Sequence, residues 1–361
     1  MCHGERSVAI SRVYPVDRHA LRARDDKQAF RGTLMSLKQL SDSELINLTE
    51  KARTLTRQRF GRTIQLYAPL YLSNECVDTC LYCGFSRENK ILRKTLTPEE
   101  VFEEAKILTK KGFQHILFVA GEHPIHVSPD YLEKVIQKIK PLVSSLSIEV
   151  APLEESSYRQ LIAQGLDGVV IYQETYDPEI YQGVHKAGPK KYFEKRKKSP
   201  EEAARAGIRQ LGMGILLGLS DWRQEAQNLI EHVREMKKKY WQTEITISLP
   251  RLRPCASNYQ PLHPISDRDF VQLIAALRVA LPDVGIVLST RESPALRDQL
   301  IGLGVTRMSA GSSTEPGGYG HPEENLKQFE IEDTRSATTV ATVIQQKGFE
   351  PIWKDWERTS T

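Results

Sequence analysis

The stretch "IQLYAPLYLSNECVDTCLYCGFS", residues 64–86, opens as a strand and closes on three cysteines, Cys76, Cys80 and Cys83, within eight positions. Its first ten residues form a near-continuous apolar run, the pattern of a strand buried on both faces of a parallel sheet. Seven further runs of this kind follow: "HILFVAG" (115–121), "LSIEVAPL" (146–153), "GVVIYQETY" (168–176), "MGILLGLS" (213–220), "EITISLPRLRP" (244–254), "VGIVLSTRES" (284–293) and "VTRMSAGSST" (305–314). Helix-like segments lie between them. "LTPEEVFEEAKILTKKG" (96–112) carries Thr97 as N-cap, Pro98 at the first helical position, acids in the first turn and Gly112 as a stop. "SPDYLEKVIQKIKPL" (128–142), "SPEEAARAGI" (199–208) and "SDRDFVQLIAALRVAL" (266–281) open in the same way. Eight strands alternating with helices predict an α/β fold, a (β/α)8 TIM-type barrel over residues 64–361 with a C-terminal segment; a doubly wound sheet is the alternative. Residues 1–63 read as an N-terminal helical extension.

In such a barrel the chemistry sits at the C-terminal ends of the strands. The polar residues gather there: the cysteines after strand one, "GEHP" after strand two, Glu149 on strand three and "QETY" on strand four. "PRLRP", "STRES" and "SAGSST" follow on strands six, seven and eight. Charged groups at the mouth of a barrel are costly unless they bind something.

Of the chain's 361 residues 40% are hydrophobic and 27% charged, and the net charge is only +4. The one local basic run, Lys190-Lys191 with Lys195-Arg196-Lys197-Lys198, reads as a solvated face rather than a nucleic-acid patch. The longest apolar stretch, "LGMGILLGL" (211–219), is too short to span a bilayer. Five cysteines, an odd and low number, argue against a disulfide framework and for a reducing, cytoplasmic setting.

Three clustered thiols are one too few for a structural zinc site and one too many for a disulfide. A 4Fe-4S cluster held by three thiolates keeps one iron free for a ligand. An incomplete zinc knuckle or a redox-sensing thiol group are the alternatives. Cys2 and Cys255 lie outside the motif; Cys255 reads as a structural thiol.

"CVDTCLYCGF" resembles the C-x3-C-x2-C motif of the radical S-adenosyl-L-methionine (SAM) enzymes, with Tyr82 just before the last cysteine. Together with "APLYLSN", "IYQETY", "PRLRP", "STRES", "SAGSSTEPGGY", "QFEI" and "PIWKDWE", it resembles the aromatic amino acid lyase subgroup, and there the tyrosine lyases of bacterial thiamin biosynthesis. The resemblance covers roughly residues 64 to 357. It implies a 4Fe-4S cluster on Cys76, Cys80 and Cys83 that reduces SAM to methionine and a 5'-deoxyadenosyl radical. That radical takes a hydrogen from L-tyrosine, whose Cα–Cβ bond then breaks to give 2-iminoacetate and p-cresol. A thiazole synthase as consumer of the product and a flavodoxin or ferredoxin as reductant are implied partners.

The resemblance also assigns residues. Gly121 and Glu122 fall where the superfamily binds the SAM amino group, with Ala120 replacing the first glycine of its Gly-Gly-Glu element. Glu149, Gln173 and Glu174 are candidate SAM ligands. Strand alternation forbids Gln173 and Glu174 from both facing inward, and Glu174 is the better inward candidate. A forked guanidinium suits a substrate carboxylate: Arg251 and Arg253, two apart and so on one face of strand six, are the first candidates, Arg291 and Arg196 the next, each against simple pairing with an acid. The loop beginning at Ser309 offers small residues and hydroxyls to the adenosyl or carboxylate groups. His185 is a candidate for proton movement. A tryptophan lyase, the tyrosine lyase of FeFe-hydrogenase maturation and a non-enzymatic iron–sulfur or zinc regulator remain the competing readings; the maturation lyase carries a further cysteine motif, and no cysteine follows Cys255.

Overall fold

The computed structural model describes residues 37–323 and 326–354. Eight parallel strands form the central sheet: β1 (Thr63–Ser73), β2 (His115–Ala120), β3 (Ser145–Glu149), β4 (Gly168–Glu174), β5 (Gln210–Ile215), β6 (Glu244–Ser248), β7 (Gly285–Leu288) and β8 (Arg307–Ser309). The sheet closes on itself, because β8 pairs with β1 through Gln65↔Arg307, Leu66↔Met308 and Tyr67↔Ser309. The expected (β/α)8 barrel is therefore the fold, and the doubly wound alternative falls.

Period-two alternation explains why the strands read as unbroken apolar runs. On β1, Leu66, Ala68, Leu70 and Leu72 pack under the surrounding helices, whereas Tyr67 and Tyr71 pack with Leu117 and Val119 of β2 in a separate interior cluster. Both faces are dry.

The helices are α1 (Asp42–Phe60), α2 (Pro98–Lys110), α3 (Pro129–Ile139), α4 (Glu155–Ala163), α5 (Pro178–Val184), α6 (Phe193–Arg205), α7 (Trp222–Lys239), α8 (Asp267–Ala280), α9 (Pro294–Leu300) and α10 (Ala337–Gln346). The capping signals operate as the sequence implies: Thr97 and Glu100 form a reciprocal capping box on α2, and Ser128 and Ser266 cap α3 and α8. One boundary differs. The helix expected to begin at Ser199 begins at Phe193, with Pro200 inside it. Proline removes the N–H that would bond to the carbonyl of Arg196, and the Ser199 hydroxyl takes its place, donating to that carbonyl at 2.6 Å. The extra helical turns carry Arg196 inward.

Strand six also ends earlier than expected. The regular ladder stops at Ser248, and past Pro250 the chain follows β5 only by single bonds, Leu217 N–H to Pro250 O and Leu252 N–H to Leu217 O. Alternation lapses there, so Arg251 and Arg253 do not share a face.

Helix α1 packs against α8, its Thr56 hydroxyl donating to Leu303 O at the foot of the barrel. The rest of the predicted N-terminal extension, residues 1–36, lies outside the described residues. The C-terminal segment adds α10 and a short strand, β9 (Glu350–Ile352), beside the first residues of β1.

Between β8 and α10 the chain crosses the barrel mouth and is anchored by Asp333, which is fully buried against the equally buried Arg297 of α9. Arg335 grips the same carboxylate and reaches Asp298. Removing one member of a buried ion pair strands the other charge, at a cost of about 3–5 kcal/mol. Arg297→Met is expected to lower the denaturant midpoint accordingly in equilibrium unfolding.

Candidate active site

The cysteine loop leaves β1 at the top of the barrel and is fixed by polar side chains that the sequence reading did not single out. Arg93 donates to the carbonyls of Asn74, Phe85, Ser86 and Asn89. Asn89 Nδ2 donates to the carbonyls of Cys83 and Gly84, and Asn74 bonds Leu92 O and the N–H of Lys94. A two-residue strand, Thr79–Cys80, pairs antiparallel with His185–Ala187.

Gly121 follows the last residue of β2, directly behind the loop. A Cβ there would lie 2.3 Å from Glu75 O and 3.1 Å from Cys76 Cβ. Gly121→Ala must push the loop outward; overpacking of this kind costs about 1–3 kcal/mol, and the expected readout is reduced iron content after reconstitution.

All three cysteines line one large pocket at the strand ends, together with Tyr82, Gly121, Glu122, Glu149, Glu174, Arg196, Arg253, Arg291 and Ser309. Burial pushes the Cys76 thiol up to about 12, with the neighbouring Cys83 adding to the shift, and burial likewise raises Cys80 and Cys83. Three thiols converging in a dry site become thiolates only when a cation shares the space. No fourth cysteine and no histidine lines the pocket among the described residues. The donor set fits a 4Fe-4S cluster with one iron left open, and fits a closed zinc site poorly.

One wall of the pocket carries a buried charge network. Arg196 Nη1 lies 2.7 Å from Glu122 Oε1, and Lys190 Nζ lies 2.7 Å from Glu174 Oε1 and 3.6 Å from Glu122. Arg196 Nε also donates to Tyr172 O at 2.8 Å. Burial alone would raise the Glu122 pKa, but Arg196 and Lys190 hold it below the usual carboxylate value. Glu174 faces inward through a left-handed backbone (φ 69°) at a bulge that leaves Gln173 out of the ladder and off the pocket wall. Lys190 was read from sequence as part of a solvated run; it is instead the partner of Glu174, while Lys191 and Lys195 are exposed.

Glu149 stands beside this network with no hydrogen bond or ion pair among the described residues, and burial, reinforced by Glu174, pushes its pKa up to about 7. Arg291 lines the same pocket. It stacks over Phe329 at 3.4 Å from the ring centroid and donates to Arg251 O at 3.2 Å, without an acidic partner among the described residues. Near it, the buried Ser312 hydroxyl is unpartnered, and Arg297 fixes the backbone carbonyl of Ser309.

Three sequence candidates are held by partners that the sequence did not show. Arg251 is off the pocket wall, bound to Glu292 and Asp267; Arg253 lines the wall but is paired with Glu332. His185 is buried behind Tyr82. Its Nδ1 lies 2.8 Å from Tyr181 O, which can only accept, so Nε2 accepts from the Tyr82 hydroxyl at 2.8 Å. Burial, with Lys190 nearby, pushes His185 down to about 3. Hydrogen-bonded at both nitrogens, the ring orients Tyr82.

The Radical SAM superfamily pattern matches residues 70–233, and that of the Biotin and Thiamin Synthesis associated domain matches 248–350. The 2-iminoacetate synthase of Salmonella typhimurium is 44% identical over 86% of this chain and 82% of its own length. That of Escherichia coli is 42% identical over 93% of this chain and 90% of its own. This chain belongs to the 2-iminoacetate synthase family. Within the wider radical SAM group, the X-ray structure of the FeFe-hydrogenase maturase HydG from Carboxydothermus hydrogenoformans superposes with a TM-score of 0.84 at 36% identity, over 92% of this chain and 78% of that one. Among the described residues no helix is long and apolar enough to cross a membrane.

Proposed function

We propose that this 2-iminoacetate synthase family member is a radical SAM carbon–carbon lyase that cleaves the Cα–Cβ bond of L-tyrosine to 2-iminoacetate and p-cresol, in the service of thiazole formation for thiamin. The observation that carries the reading is the polarity of the pocket: Glu122, Glu149 and Glu174 line it together with Arg291, which holds no salt bridge among the described residues, beside three converging thiols. SAM and tyrosine are both α-amino acids, and each offers an ammonium to the acids and a carboxylate to the guanidinium.

When bound, the 4Fe-4S cluster and SAM supply the electron and the 5'-deoxyadenosyl radical that starts the reaction. The chain's own groups do the holding. Cys76, Cys80 and Cys83 serve as the three thiolate ligands. Glu122, kept ionised by Arg196 and Lys190, and the Gly121 backbone suit an ammonium group. Arg291 suits the substrate carboxylate, with the Phe329 ring holding its guanidinium plane. Glu149 oxygens, unpartnered and near neutrality, can take and return a proton. Tyr67, Tyr71, Tyr172, Leu117 and Val170 wall off water from reactive species.

A one-electron donor such as flavodoxin or ferredoxin is required by this chemistry. A thiazole synthase is the proposed consumer of 2-iminoacetate, since an imine of this kind hydrolyses readily and profits from direct use. The test is an anaerobic turnover assay with reconstituted, reduced protein, SAM, and either tyrosine or tryptophan. Appearance of p-cresol and 5'-deoxyadenosine with tyrosine supports the assignment. SAM cleavage without p-cresol removes the substrate assignment, and a loaded cluster that leaves SAM untouched removes the enzyme assignment.

A further inference from the structure

The segment crossing the barrel mouth sets two consecutive side chains, Gln328 and Phe329, into the pocket wall. Phe329 backs Arg291. Gln328 points the other way: its Nε2 lies 3.7 Å from Cys83 Sγ, within reach of an N–H···S bond. The direction of an amide is an inference from its partners, and Tyr71 supplies it. The Tyr71 hydroxyl lies 2.8 Å from Gln328 Oε1. Burial keeps that phenol protonated and a donor. The carbonyl end of the amide is therefore taken, and its NH2 is directed at sulfur; the reverse orientation would set two acceptors, the amide oxygen and a thiolate, against each other.

The backbone of Gln328 is equally fixed. Its N–H donates to Thr314 O at 2.9 Å, and its carbonyl packs so closely on the cysteine loop that a Cβ on Gly84 would lie 2.0 Å from it. Among the described residues it is the side chain that donates to a cysteine sulfur of the motif. Cys255 lies near the loop too, but its sulfur is 3.4 Å from the backbone carbonyl of Tyr82.

We propose that Gln328, oriented by Tyr71, is a positioning residue that tunes the reducibility of the iron–sulfur group on Cys76, Cys80 and Cys83 by hydrogen-bonding Cys83 Sγ. Reduction adds one negative charge that spreads onto the sulfurs, and a donor aimed at one of them stabilises the reduced form more than the oxidised. The inference rests on the three-cysteine reading of the site.

The experiment is a potentiometric titration of the cluster-loaded enzyme, followed by the EPR signal of the reduced cluster, for wild type, Gln328→Met and Tyr71→Phe. Methionine keeps the bulk and loses the donor; phenylalanine keeps the amide and releases its orientation. The expected result is a midpoint shifted to more negative potential in Gln328→Met at unchanged iron content, with a smaller shift of the same sign in Tyr71→Phe. A Gln328→Met enzyme with full iron and the wild-type midpoint overturns the proposal. If that variant does not retain iron, Tyr71→Phe decides, and an unmoved midpoint there overturns it. Failure of the wild-type protein to assemble any cluster overturns the three-cysteine reading beneath it, a result distinguishable from the other two.

Discussion

Cys80→Ala is expected to yield a folded barrel that forms no detectable p-cresol and retains little iron. Cys80 sits on the two-residue ribbon against His185 and contributes a small, buried side chain. Its truncation falls in the usual range for a core substitution, about 1 kcal/mol, so circular dichroism and the unfolding midpoint should change little. With two thiolates the cluster loses a ligand that no neighbour replaces, because Cys255 lines no part of the pocket. Iron analysis and product detection by mass spectrometry separate the two effects. Wild-type iron content in the variant would remove Cys80 from the ligand set.

Arg291→Met is expected to lower kcat/KM for tyrosine by about 100-fold or more, mostly through KM. Truncating one side of a buried, charge-assisted pair costs about 2–5 kcal/mol, and among the described residues Arg291 forms no salt bridge that a carboxylate ligand would have to break. Arg291→Lys should recover only part of the loss, since an ammonium restores charge but not the two-pronged geometry. Cluster content and SAM cleavage without tyrosine should stay near wild type, because Arg291 touches neither the cysteine loop nor the Glu122 network. An unchanged KM would move the carboxylate site to Arg253.

The barrel was legible because each stave is buried on both faces, so hydrophobicity alone marks it, and because helix starts such as Thr97-Pro98 announce themselves chemically. The C-x3-C-x2-C spacing marked the site for a similar reason, since closely spaced thiols have few uses. What escaped depends on contacts between distant parts of the chain. Lys190 looks like its neighbours in a basic run until the fold brings Glu174 and Glu122 to it. Arg251 and Arg253 look equivalent until the ladder stops at Ser248 and alternation lapses beyond it. Ser199-Pro200 imitates a helix start, and the serine hydroxyl instead repairs the bond that the proline removes. Gln328 falls in the "QFEI" stretch of the resemblance, but nothing local gives its role, since an amide becomes informative only beside a particular sulfur.

The closure of the barrel is uneven. β8 has three residues and meets β7 at only two pairs, Arg307↔Val287 and Met308↔Leu288, whereas β4 and β5 are joined along their whole length. Opening free energy follows the number of buried hydrogen bonds that must break together. The wall therefore has a grain: it is thinnest at two seams, β7–β8 and β3–β4, the latter held by Ser147↔Gly168 and Ile148↔Val169, and thickest at β4–β5. Amide exchange should be faster along those two seams than along the six-pair ladder of β4 and β5.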